Sequence, residues 1–446
     1  MAKITVRQLP RDPGPAAWNE LLPDPGPVTS LEGKQTADWV VVGAGFAGLA
    51  AARRLAQLAP QDRIVVLEAR RVADGPGGRN SGFMIDLPHD LASSGYSGGV
   101  QKDRLLIEDN RAAIGFAADV AQACDMPAEA FVRSGKINAA ATEKGLANNR
   151  AYAAHLATLS EDHQILNADA MHKLTGTTYY KGGLFTPGAA IIQPAMFLRG
   201  AAQGLRSNRV QLYEHSPVTS MQKSGTWTLT TPQGEVSAPR VILAVNGHIN
   251  SFGFAQGRLL HVFTYASMTQ PLTADEIKRL GGARVWGVTP SDPMGTTVRR
   301  ISGVGGDRLI IRNQFTCDRS MEVDDARLHR VGRDHDRAFA VRFPMLQGVD
   351  MACRWGGRLC LSRNDVSLVG ELEPGLYSAC VQNGLGTARG TLSGMLAAEL
   401  AAGVSSARLS RALAQPQPTR LPPEPFAALG ANASIRWQQM RAGREL

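Results

Sequence analysis

Cysteine is scarce in this chain, and what there is lies scattered: Cys124, Cys317, Cys353, Cys360 and Cys380 show no CxxC spacing. That excludes a zinc-ribbon pattern and a disulfide scaffold, and leaves reduced thiols as the expectation. Long apolar runs are also missing. No stretch approaches the roughly 18 apolar residues that a membrane helix requires, and the opening MAKITVRQLPRDPGPAAWNE has no basic segment followed by an apolar one. A cytoplasmic protein without a transmembrane segment is therefore expected. Basic runs are absent despite a formal net charge of +9, because the arginines come singly or in short pairs such as Arg70-Arg71 and Arg299-Arg300. No nucleic-acid partner is expected from such dispersed charge. His172, His248 and His335 have no ligand spacing, so no metal is expected either.

What is present suits a large globular protein. Hydrophobic residues make up 43% and charged residues 20% of 446 positions. That length exceeds what one core of about 250 to 300 residues holds, so two domains are expected. Residues 1–36 carry Pro10, Pro13, Pro15, Pro23, Pro25 and Pro27, with Trp18 and Leu21-Leu22 between them. They read as an extended arm packed on a body. DWVVVG at 38–43 is a short apolar run suited to a buried parallel strand, FAGLAAARRLAQL at 46–58 has helical spacing, and RIVVLEA at 63–69 is a second buried strand. Further on, 101–124 reads as a long helix and 205–245 as strands with a hairpin turn at PQG. Between 256 and 360, LLHVFTYASM, GTTVRRISG and DRLIIRNQF read as strands and DDARLHRVGRDHDRAFAVRF as a helix. After Pro416 the tail turns proline-rich and then basic and helical.

Gly43, Gly45 and Gly48 form GxGxxG between the first strand and the helix, and Glu68 closes the second strand. Glycines there permit a tight turn, close approach of a diphosphate and helix packing, while the carboxylate accepts hydrogen bonds from a ribose. A dinucleotide is expected. Three later segments favour FAD over NAD. GPGGRNSGF at 75–83 supplies small residues to wrap a diphosphate and approach a flat ring, and VILAVNGH at 241–248 is a buried strand entering a small-residue turn. NGLGTARG at 383–390 opens a helix whose positive end can stabilise an anionic reduced flavin.

The order VVVGAGFAGL, VVLEA, GRNSG, GGLFTPGAAIIQP, VILAVNG, QNGLGTARGT resembles the D-amino-acid oxidase superfamily of flavoproteins over most of residues 37–402. GRNSG and RWGGRLCLSRNDVSLVGELEPGLYSACVQNGLGT are most similar to the bacterial gamma-glutamylputrescine oxidase and sarcosine oxidase-like branch. The resemblance implies a mixed α/β fold: a Rossmann-like FAD-binding domain built discontinuously from 37–100, 190–255 and 361–405, and an antiparallel-sheet substrate domain from 101–189 and 256–360. The tail would be 406–446. It further implies that Gly43, Gly45, Gly48 and Glu68 hold the ADP half and that Arg79, Asn80, Ser81 and Gly82 serve the phosphate and flavin region. Val218 would meet adenine through its backbone, and Asn383, Gly384, Leu385, Gly386 and Thr387 would meet the isoalloxazine.

For the substrate, TVRRISGVGGDRLIIR resembles the segment in which an arginine before a turn binds a carboxylate. Arg300 or Arg299 is the candidate, and strand alternation lets only one face the pocket. His261 and Tyr265 share a strand face in the segment that crosses the flavin in relatives, so they either line the pocket or pack in the core, and Trp355 either packs near the ring or is a core tryptophan. Cys360 falls near the position where sarcosine oxidases tether flavin, so non-covalent FAD and a thioether both stay open. The reaction implied is oxidation of a C–N bond by hydride transfer to flavin N5, followed by imine hydrolysis and reoxidation by O2. A taurine, polyamine, N-methyl amino acid or cyclic imino acid would each suit. The alternatives are a dehydrogenase serving a quinone or carrier protein, a flavoprotein of RNA modification or with a structural flavin, and an NAD-dependent dehydrogenase. The oligomeric state stays open.

Overall fold

A computed structural model describes residues 3–88 and 99–446; the segment 89–98, which lies inside the expected FAD domain, is outside the described residues. Trp39–Val42 and Ile64–Leu67 are buried along their whole length and pair in parallel at the middle of a six-stranded sheet. The other members are Val210–Tyr213 on one side and Arg240–Leu243, Leu376–Cys380 and the antiparallel edge Leu368–Glu373 on the other. A strand covered on both faces needs apolar residues on both, which the runs WVVV and IVVL provide. Val41 and Val66 pack under the helices Phe46–Leu58 and Ala388–Ala401, whereas Val40 and Val65 pack against a five-stranded sheet through Trp227 and Leu229. The two helices touch closely because Gly394 lies against the Ala47 carbonyl, where a Cβ would overlap it.

The expected hairpin is present as Thr226–Thr230 paired with Gly234–Ala238. The proline-rich arm is tied down: Ile4–Thr5 and Gly33–Thr36 form the two edges of this same five-stranded sheet. Between them Trp18 is fully buried and donates from its indole nitrogen to the Asn80 carbonyl at 2.9 Å.

An eight-stranded sheet forms the second layer, in the order Met351–Ser362, Leu259–Thr269, Arg308–Cys317, Thr297–Ile301, Trp286–Pro290, Lys136–Ala140, Gly182–Thr186, Gln164–Asn167. Only Trp286–Pro290 and Lys136–Ala140 pair in parallel. The three strands expected from 256–317 are there, and the expected helix runs from Asp325 to Arg342. Met351–Ser362 was not expected, since its paired glycines and arginines hide the alternation. Helix Val100–Ala123 packs on Ala388–Ala401 and Pro194–Leu205, with Ile114 and Ala117 in the core they share, while its Ile107 packs with Tyr152 and Leu184 of the 101–189 segment. The tail is also anchored: after helix Phe426–Ala442, Glu445 is buried and accepts from the backbone of Ala141 and Thr142 at 2.9 Å.

Candidate active site

The Gly43 turn is shaped by backbone crowding. Gly43 has φ +102°, and a Cβ there would lie 2.8 Å from the Ala244 carbonyl oxygen; a Cβ on Gly48 would overlap the Gly43 carbonyl. Gly45 differs. It has extended backbone and nothing within 4 Å of its Cβ position, so its missing side chain leaves open space at the N-terminus of helix Phe46–Leu58. That is the cradle a diphosphate needs. Beside it Glu68 accepts from Ala44 N at 2.8 Å and Arg70 N at 3.1 Å, and burial raises its pKa against those bonds.

From this turn a long cavity runs to the eight-stranded sheet. Gly43, Gly45, Glu68 and Val218 line it, together with Asn80 and Ser81 and with Gly384, Leu385, Gly386 and Thr387. The last group lies at the start of helix Ala388–Ala401, so its positive end faces the cavity, and Thr387 Oγ1 donates to the Phe83 carbonyl at 2.7 Å to fix the turn. Beyond it the sheet contributes Thr289, Thr297 and Arg312, flanked by Phe83, Ile85, Pro290 and Pro293. Thr297 and Arg312 are register partners on neighbouring strands.

Behind Thr289 lies a fixed hydrogen-bond chain. Lys136 is buried and donates to Asn138 Oδ1 at 2.7 Å; Thr289 Oγ1 donates to the same oxygen at 2.9 Å. An ammonium has only donors, so it orients the Asn138 amide, and Thr289 is left presenting lone pairs to the cavity. Burial lowers the Lys136 pKa to about 8, and the Asp86 carboxylate opposes that shift.

Several expected site residues lie elsewhere. Arg300 is buried on the opposite face of its strand from Thr297 and donates to the carbonyls of Gly281 at 2.5 Å and Ala283 at 3.1 Å. Alternation explains the correction: of the pair, Arg299 takes the cavity-side face, where it bonds the Ser81 and Ile192 carbonyls at 3.0 and 2.7 Å without lining the cavity. Burial lowers the Arg299 pKa to about 9. Tyr265 packs with Leu328 and Val331 of helix Asp325–Arg342 and bonds Thr316 Oγ1 at 2.6 Å. His261 sits under the turn Asn246–Asn250, bonded to Asn250 Oδ1 at 2.9 Å, and burial drives its pKa down to about 4. Neither lines the cavity. Both occupy the shared face foreseen for them, but that face is covered by a helix and a turn.

Arg79, Gly82 and Asn383 are likewise structural. Arg79 clamps the carbonyls of Asp74, Pro13, Gly14 and Gly356, and Trp355 donates to its carbonyl at 3.0 Å. Gly82 is pressed between Arg299 and the Ile192 carbonyl, and Asn383 braces Ser362 and Val366. Cys360 is buried in the apolar cluster with Leu259 and Val381, while its neighbours Arg358 and Leu359 line the cavity; burial pushes the thiol up to about 12. The covalent alternative would require that thiol to deprotonate, which its burial opposes. The cavity residues missed from sequence are Thr289, Thr297, Arg312, Arg358, His248 and the arm around Gln8. Of these, His248, Thr297, Arg312 and Arg358 stand inside motifs named above without a role assigned to them, whereas Thr289 and Gln8 do not. Among the described residues there is no cluster of three metal-ligating side chains, and no helix is long and apolar enough to cross a membrane.

Comparison with known proteins gives a consistent answer. Residues 38–400 match the family model described as DAO, FAD dependent oxidoreductase. Among curated proteins, the gamma-glutamylputrescine oxidoreductase of Escherichia coli strain K12 is 27% identical over 405 residues, 84% of this chain and 86% of that protein. A probable oxidoreductase, OrdL, of Haemophilus influenzae is 25% identical over 391 residues, 84% of each chain. Among solved structures, glycine oxidase from Geobacillus kaustophilus superposes with a TM-score of 0.65 at 20% identity, covering 84% of this chain and 96% of that one.

Proposed function

The chain belongs to the DAO family of FAD-dependent oxidoreductases, and from that premise we propose that it oxidises the C–N bond of a small amine or amino acid. One observation carries this reading: the dinucleotide turn at Gly43 and the polar groups Thr289, Thr297 and Arg312 on the sheet line one continuous cavity. The cavity thus joins a cofactor cradle to a recognition surface. The names of the E. coli relative and of the glycine oxidase structure both point to nitrogen-bearing substrates in those proteins.

FAD, when bound, supplies a hydride acceptor. The chain's own residues do the rest. Gly43, Gly45 and Glu68 would hold the ADP half, and Gly384–Thr387 at the N-terminus of helix Ala388–Ala401 would meet the flavin. Thr289, constrained by Asn138 and Lys136 to accept, receives a hydrogen bond from the substrate N–H. Arg312 receives an acidic group at the far end of the substrate, held beside Phe315 with its guanidinium 4.9 Å from the ring centre. Phe83, Ile85, Pro290 and Pro293 keep the reacting carbon dry. The imine product leaves and hydrolyses to a carbonyl compound and ammonia, and dioxygen takes the two electrons to give hydrogen peroxide.

Turnover of an amine panel, with oxygen uptake and peroxide measured together, tests the oxidase reading. One peroxide per carbonyl is expected. Turnover only with a quinone or dye acceptor would replace oxidase by dehydrogenase, and no turnover with any amine or amino acid under either condition would defeat the C–N assignment.

A further inference from the structure

Two buried polar groups in the cavity wall have no partner among the described residues. Arg358 is 6% exposed and its Nη1 makes no hydrogen bond; His248, also 6% exposed, bonds Ser251 Oγ through Nδ1 at 3.2 Å and leaves Nε2 unbonded. The carboxylates nearest in effect to Arg358 make no hydrogen bond to it: Asp12 pairs with Arg70 through Oδ2 at 3.4 Å and keeps a buried, unbonded Oδ1, and Glu322 meets Arg11 at 3.7 Å and Gln8 Nε2 at 3.0 Å. A guanidinium taken out of water without a counter-ion is strongly unfavourable, so a fold that keeps one in a cavity wall provides for an anion that arrives later.

The position in the cavity narrows which anion. His248 lies in the turn Asn246–Asn250, which follows Ala244 in the chain, and the Ala244 carbonyl is the group that crowds Gly43. Glu68, Val218 and the arm around Gln8 line the cavity with them, whereas the face bearing Arg312 belongs to other strands. FAD carries two negative charges on its diphosphate, and the helix N-terminus at Phe46 supplies only partial positive charge for them.

We propose that Arg358, with His248 beside it, is a second anchor for the FAD diphosphate, supplying the full positive charge that the Gly43–Phe46 turn lacks. Burial depresses the pKa of His248, so the ring is neutral; in the tautomer protonated at Nε2, Nδ1 accepts from the Ser251 hydroxyl and the Nε2–H is the donor that the anion would meet. The assignment rests on the cofactor and not on the amine reading, so it stands or falls separately.

The test uses the full chain, purified as holoenzyme and stripped of FAD, as wild type, Arg358→Met and Arg358→Lys. Affinities for FAD, ADP and adenosine are measured by fluorescence titration and competition, together with the melting temperature of each stripped protein. Arg358→Met is expected to weaken FAD and ADP alike by about 10- to 100-fold, the range for a charged hydrogen bond, and to leave adenosine unchanged. Arg358→Lys recovers part of the loss. Stripped Arg358→Met should melt no lower than wild type, because an uncompensated buried charge is gone. FAD weakened with ADP unchanged would move the cation to the flavin and overturn the proposal. So would unaltered FAD affinity, or a stripped variant that melts well below wild type.

Discussion

Alanine at Gly45 and alanine at Gly48 should separate cofactor binding from folding within one loop. A methyl on Gly48 overlaps the Gly43 carbonyl, so helix Phe46–Leu58 must move off its strand. Overpacking of this kind costs about 1–3 kcal/mol, which in a chain of this size lowers the melting temperature by several degrees. A methyl on Gly45 meets no atom within 4 Å, and the residue's φ of −83° and ψ of −169° suit any L-amino acid. The gain of roughly 0.4–1 kcal/mol from stiffening the unfolded chain is offset by alanine's poorer N-cap preference. Gly45→Ala should therefore melt within about a degree of wild type when stripped of FAD. Its methyl, however, occupies the space the diphosphate needs, and loss of even one good contact there, about 1.4 kcal/mol, is tenfold in Kd. Melting curves with and without FAD, combined with FAD titration, read both effects. The reasoning fails if Gly45→Ala binds FAD as wild type does, or if Gly48→Ala melts normally while Gly45→Ala unfolds.

Other expectations follow from the cavity and its supports. Arg312→Met should raise KM at least tenfold for amines bearing a carboxylate or sulfonate while changing uncharged amines little, in steady-state assays on matched pairs. Lys136 has its folded pKa lowered from 10.5 to about 8, so between those values the unfolded chain holds a proton that the folded one has lost. Stability should therefore rise with pH across that window, by an amount on the order of 2–3 kcal/mol at most; urea midpoints near pH 7.5 and 10 measure it, and Lys136→Met should abolish the rise. Cys360→Ser and wild type should both release all their FAD on denaturation, since the thiol is buried and lies off the cavity. Colour retained only on denatured wild-type chain would reverse that conclusion.

The dinucleotide half was legible in sequence because its physics is local. WVVV, the glycine turn and IVVL each carry strand, turn and burial information within a few residues, and Glu68 follows from the same unit. The roof of the site was legible only as strands. Alternation places Arg299 and Arg300 on opposite faces, but which face meets the cavity depends on how the eight-stranded sheet sits over the Gly43 turn, and that is a tertiary fact. His261 and Tyr265 show the same gap: they share a strand face, but the turn Asn246–Asn250 covers His261 and helix Asp325–Arg342 covers Tyr265, which only the tertiary packing decides. Arg358 sat inside a quoted motif, yet its missing partner is invisible until Asp12 and Glu322 are seen pairing with others. The arm was correctly read as packed, while its place along the cofactor cavity emerges only from the pairing of Ile4–Thr5 with Ser220 and Met221.

The most direct test is anaerobic titration of the purified yellow protein with amines and amino acids, following its visible absorbance. The account predicts that at least one such compound bleaches the flavin with one equivalent per site, and that the carbonyl product and ammonia appear in equal amounts. A flavin that dithionite reduces but no amine or amino acid bleaches, while a 2-hydroxy acid does, would place the reaction at a C–O bond and contradict the central claim.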